Sequence, residues 1–147
     1  RLRCDWSSDV CSSDLFDAPS RNVCTIRRGR TNTPLQALVT LNDPVYVEAA
    51  QSLARQVIAH APEDLAAQVD YGFRRSVGRP PSRQEKQRLE ELYTQLHVRY
   101  DADKELAMQM ATSFAGPAPE GVDLVDLACW TVISNVLLNL DEILTKR

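Results

Sequence analysis

Three arginines lie just before a predicted helix start, and they are the clearest candidates for chemistry in this sequence. Arg27, Arg28 and Arg30 precede a Thr-Pro pair, which is typical of an N-cap followed by the first helical residue. A helix N-terminus presents free backbone N–H groups and partial positive charge, and guanidinium groups bind carboxylate, sulfate and phosphate. Asn32 and Gln36 add amides that could orient a ligand. The pattern therefore predicts either an anion site or a contact with a partner domain.

A structural role is the interpretation that we favour for the same arginines, because acidic residues elsewhere in the domain could pair with them. Asp141 and Glu142 follow the most apolar segment of the chain and are available for such pairing. Two carboxylates could also act as an acid/base pair or bind a metal ion. Adjacent helical residues diverge by about 100°, however, so capping and salt bridging is the better interpretation.

Complete catalytic or metal-binding motifs are absent from the sequence. It contains no CxxCH, HExxH, P-loop, GxGxxG or GxSxG pattern. His60 and His97 are predicted to be helix-end or surface residues. Cys24 and Cys129 are predicted to be small buried apolar residues. The sequence therefore predicts no catalytic residue and no metal ligand, and it leaves open whether the protein is part of an enzyme.

Helical periodicity and capping signals organise most of the chain. A first helix is predicted to begin at Thr33-Pro34, with a short apolar face formed by Leu35, Leu38, Val39 and Leu41. The sequence Asn42-Asp43-Pro44 is predicted to end this helix and to begin a second one. Acidic residues at 63–64, Gly78 and the capping box at 82–85 delimit further helices. A helix over 101–114 is expected to turn Leu106, Met110 and Phe114 inward.

The last long helix, from Asp123 to Asn139, is apolar on nearly all sides and is predicted to lie in the centre of the core. Its polar residues Thr131, Ser134 and Asn135 are expected to bond nearby backbone groups. The sequence shows no alternation typical of strands. The predicted fold class is all-α, an irregular bundle of about six helices around a central apolar C-terminal helix.

The first fifteen residues have no helical or strand period. Within them, Cys4 to Leu15 resembles the in-frame translation of a common sequencing adapter, so residues 1–15 are predicted to be adapter-derived and disordered. Residues 16–147 are then the natural segment.

Two segments of this natural part carry a family resemblance. The first runs from Cys24 to Pro44 and contains Thr-Asn-Thr-Pro-Leu-Gln-Ala-Leu; the second runs from Trp130 to Glu142 and contains Leu-Leu-Asn-Leu-Asp-Glu. We call them the first and second signature segments. Together they resemble the C-terminal part of the planctomycete-type domain of unknown function 1553, the "domain one" of large proteins with a cytochrome c-like domain.

This resemblance implies an exported or periplasmic multidomain protein whose haem lies in another domain and whose upstream domains are the partners of this chain. The net charge of −3 and pI near 5.4 argue against bulk nucleic-acid binding, and no segment is apolar for long enough to span a bilayer. We therefore expect a packing or interaction module. The alternative is part of an enzyme that binds an anionic substrate, such as a sulfated sugar, through Arg27, Arg28 and Arg30.

Overall fold

The computed structural model describes residues 33–62 and 64–144, and all regular structure in these ranges is helical. It comprises seven helices: α1 Pro34–Asn42, α2 Pro44–His60, α3 Leu65–Val77, α4 Arg83–Ala102, α5 Lys104–Thr112, α6 Leu124–Leu138 and α7 Asp141–Leu144. The all-α prediction is confirmed. The helix beyond the expected six is the short α7. Among the described residues, no helix has the length and apolar composition required to cross a membrane.

Local capping chemistry sets the helix boundaries where the sequence predicted them. Asp43 ends α1 and its carboxylate accepts the Val45 N–H at 2.8 Å, so one residue terminates one helix and caps the next. Asp64 caps α3, and Gly78 ends it at φ 85°, a left-handed conformation that favours glycine. The capping box between Ser82 and Glu85 opens α4 as predicted.

Two local predictions are wrong. The segment 101–114 is not one helix, because Asp103 ends α4 and its side chain caps α5. Leu106 and Met110 pack on the core as expected, but Phe114 is exposed. It lies beyond the end of α5, and its backbone N–H donates to Gln51 Oε1 instead of continuing the helix.

Helix α6 lies at the centre of the core, as predicted. It packs against α2, α3, α4 and α5. Its large enclosed apolar side chains are Val125, Leu127, Cys129, Trp130, Ile133 and Leu137. Trp130 is only 1% exposed, and its indole N–H donates to Gln68 Oε1 at 2.8 Å. The buried polar edge of this large ring is thus satisfied without contact with water.

A buried glutamine fixes the connection that leads into α6. Gln51 on α2 is completely buried; its amide nitrogen donates to Met110 O and Ser113 Oγ. Its amide oxygen accepts the N–H groups of Phe114 and Ala115. These bonds satisfy the end of α5 inside the protein. The loop after α5 is therefore held against α2 by polar contacts.

Candidate interaction site

Helix α1 is oriented with its polar side chains inward and its leucines outward. Gln36 and Thr40 are 2% and 1% exposed, whereas Leu35 and Leu38 are 52% and 57% exposed. The short apolar face identified in the sequence thus points away from the core. Together with Leu41 and Val45, which are also exposed, Leu35 and Leu38 form what we call the α1 stripe.

The N-terminus of α1 is closed by a reciprocal capping box. The Thr33 N–H donates to Gln36 Oε1 at 2.7 Å, and the Gln36 N–H donates to Thr33 Oγ1 at 3.3 Å. These two bonds satisfy the backbone N–H groups of Thr33 and Gln36 and fix the first turn of the helix. The amide oxygen of Gln36 is therefore already engaged by the helix that carries it.

The inner face of α1 meets the C-terminal end of α6 through hydrogen bonds, which we call the polar seam. Thr40 Oγ1 donates to Asn139 Oδ1 at 2.5 Å. Asn135 Nδ2 donates to the Leu41 carbonyl oxygen at 3.0 Å. Thr40 and Leu41 belong to the first signature segment, and Asn135 and Asn139 belong to the second. The seam therefore joins the two segments that carry the family resemblance.

Arg79, which the sequence analysis did not single out, links the turn between α3 and α4 to the end of the described chain. Its guanidinium donates to both carboxylate oxygens of Glu142 in α7, at 2.9 and 2.6 Å. It also donates to both oxygens of Glu85, at 3.0 and 2.7 Å, and lies 4.9 Å from the centroid of the Phe73 ring. We call this arrangement the Arg79 fork.

The model of a protein family described as "PSD1: Protein of unknown function (DUF1553)" matches residues 6–93, which is more than half of the chain. The chain belongs to the DUF1553 family. No curated protein and no solved structure matches it. In this DUF1553 chain the match contains α1, α2 and α3, and the second signature segment lies beyond its end.

The predicted anion site falls largely outside the described residues. Arg27, Arg28, Arg30 and Asn32 all lie there, so their proposed role stays a prediction. Gln36, the remaining member of the set, is described and is buried in the α1 capping box.

Of the acidic pair after α6, Glu142 takes part in salt bridging, as predicted for these residues; their pairing with Arg27, Arg28 or Arg30 stays a prediction, because those arginines lie outside the described residues. Glu142 forms a salt bridge with Arg79, and Asp141 begins α7. Asn139 is the C-cap of α6, but its φ of −96° is not left-handed; instead its side chain is used in the polar seam. Thr131 Oγ1 donates to the Leu127 carbonyl oxygen and Asn135 Nδ2 to that of Leu41, as predicted, but the prediction is wrong for Ser134, whose buried hydroxyl forms no hydrogen bond in the described part of the chain.

The histidines and the described cysteine of this DUF1553 chain occupy the positions that the sequence suggested. His60 is the last residue of α2, is exposed and stacks on Tyr71 with ring centroids 4.1 Å apart. Cys129 is fully buried, and desolvation raises the pKa of its thiol to about 12. Cys24 lies outside the described residues. No group of three or more potential metal ligands occurs within the described ranges.

One titratable cluster lies on the outer side of the α4–α6 contact. Asp126 Oδ1 accepts the Tyr93 hydroxyl at 2.7 Å and lies 3.7 Å from His97 Nε2. Desolvation, followed by the hydrogen bond to Asp126, raises the pKa of Tyr93 well above its usual range. The Tyr93 proton is therefore held on the phenol, and the cluster ties two helices together through an aromatic ring that also contacts Trp130.

Proposed function

We propose that this DUF1553 chain is a packing or interaction module of an exported, haem-containing multidomain protein, and that the α1 stripe docks against the upstream part of the same protein. The observation that carries the proposal is the inverted orientation of α1. The exported and haem-containing context is supported by the resemblance of the two signature segments.

The inversion is informative because an ordinary amphipathic helix gains stability by burying its apolar face. Burying one leucine contributes roughly 1.5–3 kcal/mol. In α1 the body instead takes Gln36 and Thr40, and the leucines remain on the surface. Large exposed apolar patches on soluble proteins mark interaction surfaces, and the exposed Leu35, Leu38 and Leu41 recur every three residues along α1. Such an arrangement is stable when a second surface covers the leucines.

The upstream polypeptide is the occupant that the chain geometry favours. Thr33, the N-cap of α1, precedes Leu35 by two residues, so the polypeptide upstream of α1 is attached next to the stripe. A covalently tethered segment has a high effective concentration at a surface so close to its attachment point. Neither Leu35 nor Leu38 is flanked by a charged residue within α1 that would oppose apolar contact.

Hydrogen–deuterium exchange in two contexts tests this proposal. The amide exchange of α1 is compared between the 147-residue chain and the full-length protein that contains it. If the upstream part covers the stripe, we expect α1 amides to exchange at least about tenfold more slowly in the full-length protein, because covered helices open less often. The double substitution Leu35→Gln and Leu38→Gln should remove that additional protection.

A matched control uses two exposed apolar residues elsewhere, Val98→Gln and Met108→Gln. These substitutions change surface hydrophobicity equally but lie on α4 and α5, so the extra protection of α1 should persist. Equal exchange of α1 in the short and full-length proteins would refute docking at the stripe. Loss of protection in both double variants would show that the effect is not specific to α1.

A further inference from the structure

The guanidinium of Arg79 is saturated by hydrogen bonds although the side chain is only partly buried. Five bonds are formed: two to Glu142, two to Glu85 and one to the Pro80 carbonyl oxygen at 3.2 Å. A guanidinium has five N–H donors, so every donor is used. Because every donor has an acceptor, the plane of the guanidinium is fixed. One edge of the group binds Glu85 and another binds Glu142.

The inner edge, formed by Nη1 and Nη2, is built into the fold. Its partner Glu85 accepts the Ser82 N–H at 2.7 Å as part of the α4 capping box. The bond from Arg79, with the capping bonds, lowers the pKa of Glu85 to about 2. The ring of Phe73, itself buried, lies beneath the guanidinium. The inner edge is therefore held in one orientation by three independent groups.

The outer edge, formed by Nε and Nη2, has a partner that is held much less firmly. Glu142 is half exposed and belongs to α7, a helix of four residues without a buried side chain. The bidentate geometry makes this pair stronger than most exposed ion pairs, but water solvates both partners when they separate and α7 has no buried side chain to hold Glu142 in place. A competing carboxylate can therefore displace Glu142, while Glu85 and Phe73 keep the guanidinium in place.

We propose that the outer edge of Arg79 is a carboxylate-binding site, which Glu142 fills within the chain and which an acidic side chain of a partner polypeptide fills when α7 moves away. The edge offers two parallel N–H donors, the geometry that binds a carboxylate with both oxygens. Glu142 thus acts as an exchangeable internal occupant. The ligand class is an acidic peptide segment that presents one accessible Asp or Glu.

The carboxylate site at Arg79 lies close to the polar seam, but it does not require that the α1 stripe docks against a partner. Glu142 lies three residues after Asn139, which anchors α1 through Thr40. An acidic segment bound at Arg79 would therefore lie beside the C-terminal end of α6. The α1 stripe is apolar and contributes no group to the fork, so each site can fail a test while the other passes.

Acetate is the probe for this site, and Glu142→Gln is the variant that opens it. The variant keeps the size of the side chain but removes the charge that occupies the outer edge. At pH 7 we expect sodium acetate to raise the melting temperature of Glu142→Gln by at least about 2 °C in a saturable manner, because a ligand that binds only the folded state stabilises it. Sodium chloride at equal ionic strength gives the baseline. Wild type should change by less than about 0.5 °C.

Two further variants separate a carboxylate site from a general salt effect. Adding Arg79→Lys to Glu142→Gln should abolish the acetate effect, because an ammonium cannot present two parallel donors. Glu105→Gln, which removes an exposed acid from α5, should behave as wild type does. The side-chain Nε–H resonance of Arg79 should shift with acetate in Glu142→Gln, which reports binding at the guanidinium directly.

The proposal is overturned if acetate and chloride act alike on Glu142→Gln and the Arg79 Nε–H resonance does not move. It is equally overturned if the Arg79→Lys combination retains the full acetate effect. A second measurement covers the case in which Glu142→Gln does not fold: in wild type, high acetate should speed amide exchange of α7 by displacing Glu142, and unchanged exchange there would contradict the proposal.

Discussion

The two signature segments are held in the fold in opposite ways. The second supplies the C-terminal part of α6, a helix enclosed on nearly all sides by apolar side chains from four helices. The first supplies α1, which turns two polar residues toward the body and its leucines outward. Each segment contains three leucines, so the number of leucines does not explain the difference. The difference lies in what surrounds each helix.

This contrast shows that stability and exposure are distributed unevenly over the module. Around α6, each buried side chain adds the free energy of removing apolar surface from water. Helix α1 contacts α6 through hydrogen bonds, and each such bond makes a net contribution of about 0.5–1.5 kcal/mol to the stability of the fold. Helix α1 is therefore the element whose local stability should respond most to a covering partner.

The largest effect should come from the centre of α6. Trp130→Ala removes a side chain that is 1% exposed and leaves the Gln68 amide oxygen without its donor. We expect a loss of about 3–5 kcal/mol in the free energy of unfolding, as for other large-to-small core changes. Chemical denaturation measures it. A loss below about 1 kcal/mol would contradict the central position of α6.

Helix ends and the central helix could be predicted from the sequence because their causes are local. Thr33, Asp43 and Ser82 cap helices through atoms no more than three residues away. The apolar surroundings of α6 could also be predicted, because a helix without a polar face has only the interior to occupy.

The orientation of α1 and the Arg79 fork could not be predicted in the same way. The spacing of Leu35 and Leu38 is the same whether a helix buries its apolar face or presents it to a partner. Arg79 and Glu142 are 63 residues apart, and no local pattern pairs them. The sequence does contain one signal for the inner half of the fork. Arg79 lies between Gly78, which ends α3, and the capping box that opens α4, so it can reach Glu85 six residues later.

A smaller effect is expected at the polar seam. Asn139→Ala removes the side-chain acceptor of the Thr40 hydroxyl, whose single hydrogen can then be donated to the carbonyl oxygen of Gln36 or Ala37 within the same helix. We expect a loss of about 1 kcal/mol and faster amide exchange confined to α1. Ser52→Ala, an exposed change on α2, is the control. If exchange rises equally in α2 and α6, the seam is not a local anchor.

Because of the Arg79 fork, we expect the melting temperature to depend on pH in the acidic range. Hydrogen bonds from Arg79 lower the pKa of Glu85 to about 2 and lower that of Glu142 as well. A carboxyl group whose pKa is depressed on folding stabilises the folded state above its unfolded pKa, and this contribution is lost as pH falls through the folded value. Melting temperature should therefore fall between about pH 4.5 and pH 2. In Arg79→Gln this fall should be smaller, and an unchanged profile would exclude the fork as its source.

The smallest effect, and the most direct test of the contrast between the two helices, is expected at the α1 stripe. Leu38→Gln replaces an exposed leucine by a residue of similar helix propensity, so the free energy of unfolding of the 147-residue chain should change by less than about 0.5 kcal/mol. If α1 instead packed its leucines inward, the same substitution would place an amide in the core and cost several times more. A loss above about 2 kcal/mol in chemical denaturation would therefore reverse the assignment of the two faces. A neutral result beside a large loss for Trp130→Ala would establish that the leucines of α1 add little to the stability of this chain, because they are exposed while Trp130 is enclosed.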